Sequence, residues 1–404
     1  MMGWRREDRL LLELIFGEGC SNTLSQFPTG SPDWDYIVET AINEGVAGVL
    51  FYNVKKHDLK EMMPAETYKY LQKRYNSNLM KNMSVLGELK QILGGFKDAG
   101  IPFIVLKGIA LAEHLYQGIA MRGMSDIDIL VKKDSLQKVD EYLSSHDYFS
   151  RDSSVARAVN NPVGYLASLD YRKGEPSSLS LHVHWHLVNT SAPAYMFASQ
   201  IDMERIWKMS TPAIIADVES RTLSSDHLII YLCEHALRIG HSFDRLILIY
   251  DIFQSIKACE KSIDWDFVIR ESRDFNLSRF LYFSLTIVRD YSSLSIPDKV
   301  INSLRPSHIT IGEKFFLSLQ LSNKRVRGNS YLIYLALNKS FINKCRFLYR
   351  TFFPPPHILI QRKYDKNSEF RKSYYLFRIC EVARYFVTSL FDLIIKKAQR
   401  GDIK

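Results

Sequence analysis

The sequence predicts an α+β fold, a small mixed β-sheet core flanked by N-terminal and C-terminal helical regions. Three observations carry it. Apolar residues recur at helical spacing through residues 1 to about 95 and again from about Pro193 onward. Between these regions lie short apolar runs bounded by glycine and turn residues, which read as strands. A chain of 404 residues with 46% hydrophobic and 12% aromatic side chains can also bury a sizeable core.

The elements follow in order. RLLLELIF, the run WDYIVETAINEGVAGVLFYNV and the stretch from Pro64 to Phe96 show helical spacing, with Pro32-Asp33-Trp34 as a helix start. Ile101 to Lys107, between Gly100 and Gly108, is a buried strand, and Ile109 to Gln117 a helix. Asp126 to Val131 is a second strand, and Asp134 to Ser145 a helix with Asp134 as its N-cap. Two more strands, Gly164 to Tyr171 and Leu179 to Leu187, join through a turn at RKGEPSS. Beyond Pro193 the clearer helices are Arg221 to Ile239, Phe243 to Lys257 and Phe280 to Tyr291. FFPPPH (Phe352 to His357) is an extended break before the last helices.

The net charge of +9 is concentrated at one end: 14 Lys plus Arg against 5 Asp plus Glu lie from Ile342 onward. A basic segment with interleaved tyrosines suits nucleic acid, an acidic partner, a membrane surface or a solvated helix face. Cys20, Cys233, Cys259, Cys345 and Cys380 are dispersed, with no metal-finger spacing, which suits reduced thiols and a cytoplasmic location. The first residues carry acids within and after their short apolar run, so an amphipathic helix is expected rather than a signal peptide. No run reaches transmembrane length; Tyr385 to Ile395 is short and holds Asp392.

The chemistry concentrates in SDIDILV. Residues two apart on a strand point the same way, so Asp126 and Asp128 project together, opposite Ile127, Ile129 and Val131. Two adjacent carboxylates repel unless one gains a proton or a cation lies between them. A hard divalent ion, Mg²⁺ or Mn²⁺, satisfies them and leaves positions open for phosphate and water. Upstream, Gly108 turns strand into helix and lets backbone approach a ligand. Lys107 and Arg122 can neutralise a triphosphate, and Ser125 directly precedes the pair. A strand-edge Asp pair and a tight glycine turn are the bland alternatives.

In order, LKGIALAEHLY, MRGMSDIDILV and LHVHWHL resemble the family of uncharacterised bacterial nucleotidyltransferases within the superfamily related to DNA polymerase beta. Leu106, Lys107 and Gly108 match its first element. Arg122, Met124, Asp126, Asp128, Leu130 and Val131 match the second, and His184 and Trp185 the third. The resemblance is strongest over Gly100 to Leu187 and continues weakly through His235, Arg245 and Asp251. It implies a nucleotidyltransferase core at 96–192, between an N-terminal helical region at 1–95 and a helical domain at 193–350, with a basic helical tail at 351–404. It also implies transfer of an NMP group from an NTP, releasing pyrophosphate. Asp128 would bridge two metals and Asp126 hold the nucleotide-side metal, with Lys107, Gly108, Arg122 and Ser125 binding the nucleotide. The acceptor is unidentified, a macromolecule such as RNA or protein being favoured by the basic tail.

One departure stands out. The superfamily usually supplies a third carboxylate from a neighbouring strand, and here His182 stands in its place. Strand alternation puts His182, His184 and His186 on one face, so His182 is a catalytic candidate and His184 and His186 accessory ones. Asp170 and Glu113 are the candidates for a substitute acid, and the sequence does not choose between them. Alternatives to transfer are a catalytically impaired binding protein with the same fold, and a histidine-rich metal-dependent hydrolase.

Overall fold

The structure, a computed structural model, describes residues 5–17, 32–124, 126–150, 168–174, 179–188, 200–238, 245–310, 341–354 and 371–401, with isolated positions between 313 and 359. It is an α+β fold with helical flanks, as expected from the sequence. Among the described residues the helices α1 (Arg6–Phe16), α2 (Trp34–Asn43) and α3 (Ala47–Lys56) precede the long α4 (Ala65–Asp98). Asp33 caps α2 by accepting from Tyr36 N. The expected continuous run from Trp34 breaks at Glu44-Gly45, where Gly45 takes φ +75° and reverses the chain.

The core sheet holds β1 (Phe103–Val105), β2 (Asp126–Val131), β3 (Tyr148–Ser150), β4 (Ser168–Lys173) and β5 (Ser180–His184), in spatial order β1-β2-β5-β4-β3. β2 and β5 run parallel, and the other neighbours pair antiparallel, so the sheet is mixed. Helices α5 (Ile109–His114) and α6 (Leu136–Ser145) connect its strands. Asp134 does not cap α6: a 3₁₀ turn at Lys133–Ser135 leads into it and Ser135 holds the N-cap position. Residues 164–167 of the strand expected from Gly164 lie outside the described residues.

Both faces of the sheet are covered. Phe103, Val105, Ile127, Ile129, Leu169 and Val183 join one apolar cluster with Leu89, Ile92 and Phe96 of α4. Ile104, Leu106 and Leu130 point the other way, into a larger cluster built with helices α8 (Ser225–Leu237), α9 (Leu246–Cys259), α10 (Trp265–Asp274) and α11 (Ser278–Tyr291). The strand carrying the aspartates therefore has a helical wall over the very face they occupy. α4 bridges the two clusters, with Leu71 in one and Val85 to Phe96 in the other.

Between the sheet and α8 stand α7 (Met203–Met209) and a hairpin, β6 (Thr211–Ile215) and β7 (Val218–Thr222). This corrects the expected helix from Arg221, which instead starts at Ser225 behind a Ser224 cap. The hairpin turns on Ala216 and Asp217 at φ 50° and 61°, a backbone usually signalled by Asn-Gly or Asp-Gly, so the sequence hid it. Further on come α12 (Asp298–Leu304), α13 (Phe341–Phe352) and α14 (Ser373–Gly401). Among the described residues no helix is long and apolar enough to cross a membrane.

Candidate active site

The site begins where β1 ends. Leu106 N donates to Asp128 O at 3.0 Å, prolonging the β1–β2 ladder and setting Lys107 beside Asp128. Gly108 then takes φ +68°, ψ −103°. An L side chain is strained there, whereas an added methyl would meet only ordinary contacts, the nearest at 3.7 Å, so conformation sets the need for glycine.

Register does the rest. The parallel pairing sets Asp128 opposite His182, and the antiparallel pairing sets His182 opposite Asp170. One row across three strands thus reads Asp128, His182, Asp170. The His182 Nδ1 lies 3.5 Å from Asp128 Oδ1 and 3.7 Å from Asp126 Oδ2. Its Nε2 lies 3.8 Å from Asp170 Oδ1 and 3.2 Å from the Ser180 hydroxyl, which in turn donates to Asp170. Asp128 is 2% exposed and engaged on both oxygens, Oδ2 with Lys107 Nζ and Oδ1 with His184 Nε2, each at 2.9 Å. Asp126 is partly open, with 31% of its side chain exposed.

Electrostatics separate these groups. Burial alone would raise the Asp128 pKa, but the Lys107 ammonium and the two histidines outweigh it and hold the carboxyl well below the usual range. Burial likewise opposes charge on Lys107, and Asp128 reverses that, keeping the ammonium charged. Burial pushes His184 down, toward the neutral ring that can ligate a metal. In His182 the same penalty is overcome by Asp128, Asp126 and Asp170, and its pKa rises.

Asp128, His182 and His184 each offer a donor atom within 4.8 Å of the others, a group that could hold a metal ion. The donor set fits a divalent cation: carboxylate oxygen and imidazole nitrogen converge, and the second carboxylate, Asp126, faces the same histidine. His186 stays apart. β5 ends at His184, and the His186 Nδ1 lies 3.2 Å from Val188 O, within its own loop. The expected three-imidazole face therefore has two members, because the strand stops one alternation early.

Beside Asp126 opens a cleft of about 540 Å³, lined among others by Lys107, Arg122, Arg74, Lys81 and Arg245. Arg122 is clamped: Nε and Nη2 each donate to Asp251 at 2.9 Å, and Tyr116 OH donates to the same carboxylate at 2.5 Å. Asp251, on α9, thereby grips the loop before β2. Glu234 pairs within its own helix, with Arg238. Of the substitute acids, Asp170 reaches the histidine, whereas Glu113 is turned away and accepts from Ala216 N at 3.1 Å. Ser125 lies outside the described residues.

Sequence reasoning missed the contribution of α4. Arg74, Asn78 and Lys81 sit at i, i+4 and i+7, a polar stripe on one helix face that faces the cleft. The spacing was visible; what the stripe faced was not. No curated protein matches the chain. Residues 30–292, which take in the glycine turn, the aspartate pair and the histidine strand, match the family described as uncharacterised nucleotidyltransferases, and the chain belongs to that family.

Proposed function

We propose that the protein transfers a nucleoside monophosphate from an NTP to an acceptor hydroxyl, with Asp126 and Asp128 holding a divalent ion of the Mg²⁺ or Mn²⁺ type. The row Asp128–His182–Asp170, opening through Asp126 into a cationic cleft, is the observation that carries this reading. The acceptor hydroxyl gives up its proton to water as its oxygen attacks the α-phosphorus, the bond to the bridging oxygen breaks, and pyrophosphate leaves with its electron pair. When bound, the ion supplies Lewis-acid stabilisation of the attacking and leaving oxygens. His184 orients Asp128, and Asp126 offers a more exposed oxygen toward the cleft. Lys107 and Arg122 line the cleft, each held by its own carboxylate, and the Gly108 turn keeps the backbone close. The mixed oxygen and nitrogen donors favour Mn²⁺ over a site of carboxylates alone.

The test is incubation of the full chain with each α-labelled NTP and Mg²⁺ or Mn²⁺, scored by label transfer and pyrophosphate release. Asp128→Ala is expected to abolish both; equal turnover by that variant would sink the reading. A second reading, a nucleotide-binding protein without turnover, is favoured by the Lys107 ammonium seated on Asp128 and by His182 in place of an acid. It expects NTP and metal to bind together and the NTP to survive intact. The basic segment from Ile342 onward supports a macromolecular acceptor. RNA binding that falls steeply with salt would support RNA in that role, and a flat response would count against it.

A further inference from the structure

The cations of the cleft are not equivalent. Arg122 and Lys107 are already neutralised, by Asp251 and Asp128. Arg74, Lys81 and Arg245 also line the cleft, and among the described residues none of the three has a carboxylate partner. Among the described residues of the cleft these three can give their charge to a ligand without surrendering a carboxylate partner. Like charges gathered around one opening raise its potential and favour an anionic occupant.

The wall they form is anchored on both sides. On α4, the fully buried Asn82 donates through Nδ2 to Ile119 O at 2.6 Å and to Arg122 O at 2.7 Å, locking the helix to the loop before β2. Asn78 packs where a side chain on Gly123 would start, with its amide 3.5 Å from that point. Across the opening, Glu44 holds the start of α9: its Oε2 accepts from Leu246 N at 2.7 Å and its carbonyl from Ile247 N at 3.1 Å. Arg245 is fixed immediately before that start. Arg74 and Lys81 are seven positions apart on the helix, about 10 Å along the axis, which suits an extended polyanion better than a single phosphate or carboxylate.

We propose that Arg74 and Lys81 of α4, with Arg245 opposite, form a polyphosphate-binding wall that takes the phosphate tail of the nucleotide, separate from the aspartate–histidine cluster. That the tail belongs to a nucleotide rests on the proposed transfer activity; the wall's affinity for polyphosphate does not. Calorimetric titration of the full chain with inorganic tripolyphosphate, at low salt and without divalent metal, tests it. The Arg74→Ala/Lys81→Ala variant is expected to raise Kd by at least about tenfold, as the loss of charge-assisted contacts requires. Lys55→Ala/Lys73→Ala removes the same charge from exposed positions that do not line the cleft and is expected to change Kd less than about twofold. An unchanged Kd in the first variant, or equal weakening in the second, overturns the wall. Both pairs are exposed, and unchanged melting curves confirm that the fold is kept.

Two further arms separate the failures. Asp126→Asn/Asp128→Asn is expected to keep tripolyphosphate binding while losing turnover, so absent turnover in the wild type would condemn the transfer reading and leave the wall standing. Tripolyphosphate is expected to displace a bound NTP. Binding of both at once would assign the wall to a phosphorylated acceptor and overturn its assignment to the nucleotide.

Discussion

Two buried ion pairs flank the cleft, alike in charge and unlike in construction. Arg122–Asp251 joins two fork-shaped groups through two bonds of 2.9 Å, and Tyr116 adds a third donor. Such a bidentate pair is geometrically closed and fixes the loop that leads into β2. Lys107–Asp128 joins a point charge to one oxygen, while histidines take the other. It is a pair whose cation can be exchanged for another. The difference teaches that burial of a carboxylate does not by itself mark a catalytic group: Asp251 and Asp128 are both 2% exposed, and only the second shares its sheet row with a histidine and a further acid.

Removing the closed pair should have the largest effect on stability. Asp251→Asn leaves the Arg122 guanidinium buried without a counter-charge and is expected to cost about 3–5 kcal/mol, read as a lower denaturation midpoint in urea. A loss under about 1 kcal/mol would mean that Asp251 is no clamp. Asp128→Asn should cost less in the same assay, since a lysine left without its counter-charge can give up its proton, whereas a guanidinium cannot. The thermal stabilisation that Mn²⁺ confers on the wild type should vanish with it. If the two variants lose equal stability, the contrast between the pairs fails.

Gly108→Ala sharpens the comparison on the backbone side. Its φ of +68° with ψ of −103° is costly for alanine, so about 1–3 kcal/mol of stability should go, without loss of the Arg122 clamp. Chemical denaturation checks it, and a neutral result would show that the turn relaxes freely. His182→Asp should have the smallest effect, and one of opposite sign. Restoring a carboxylate between Asp128 and Asp170 should tighten Mg²⁺ by about tenfold, or about 1.4 kcal/mol, seen as a larger Mg²⁺-induced thermal shift. An unaltered Mg²⁺ response would mean that His182 does not occupy the third acid's position.

Much of this site was legible from local spacing. Asp-x-Asp on an apolar strand, a glycine after a short strand, and histidines at period two each follow from which way neighbouring side chains must point. Where the reading fell short, the missing information was non-local. His186 shares its period with His182 and His184, but the strand ends first. Asp251 sits on a helix, and its partner Arg122 lies 129 residues away in sequence. Arg74 and Lys81 formed an evident stripe on α4, yet nothing in the stripe said what it faced.

The sequence by itself determined the α+β class and the strand that carries Asp126 and Asp128, because alternation and helical period are properties of adjacent residues; that His182 stands where an acid is usual came from the resemblance to the family. Only the tertiary structure decided that β5 lies parallel to β2 with His182 in register between Asp128 and Asp170. It alone decided that Asp128 is paired with Lys107, and that α4 and the residue before α9 bring to one opening three cations with no carboxylate partner among the described residues. Register and helix placement come from burying both faces of the sheet at once, a condition that involves residues far apart in the chain and leaves no mark in any short stretch of it.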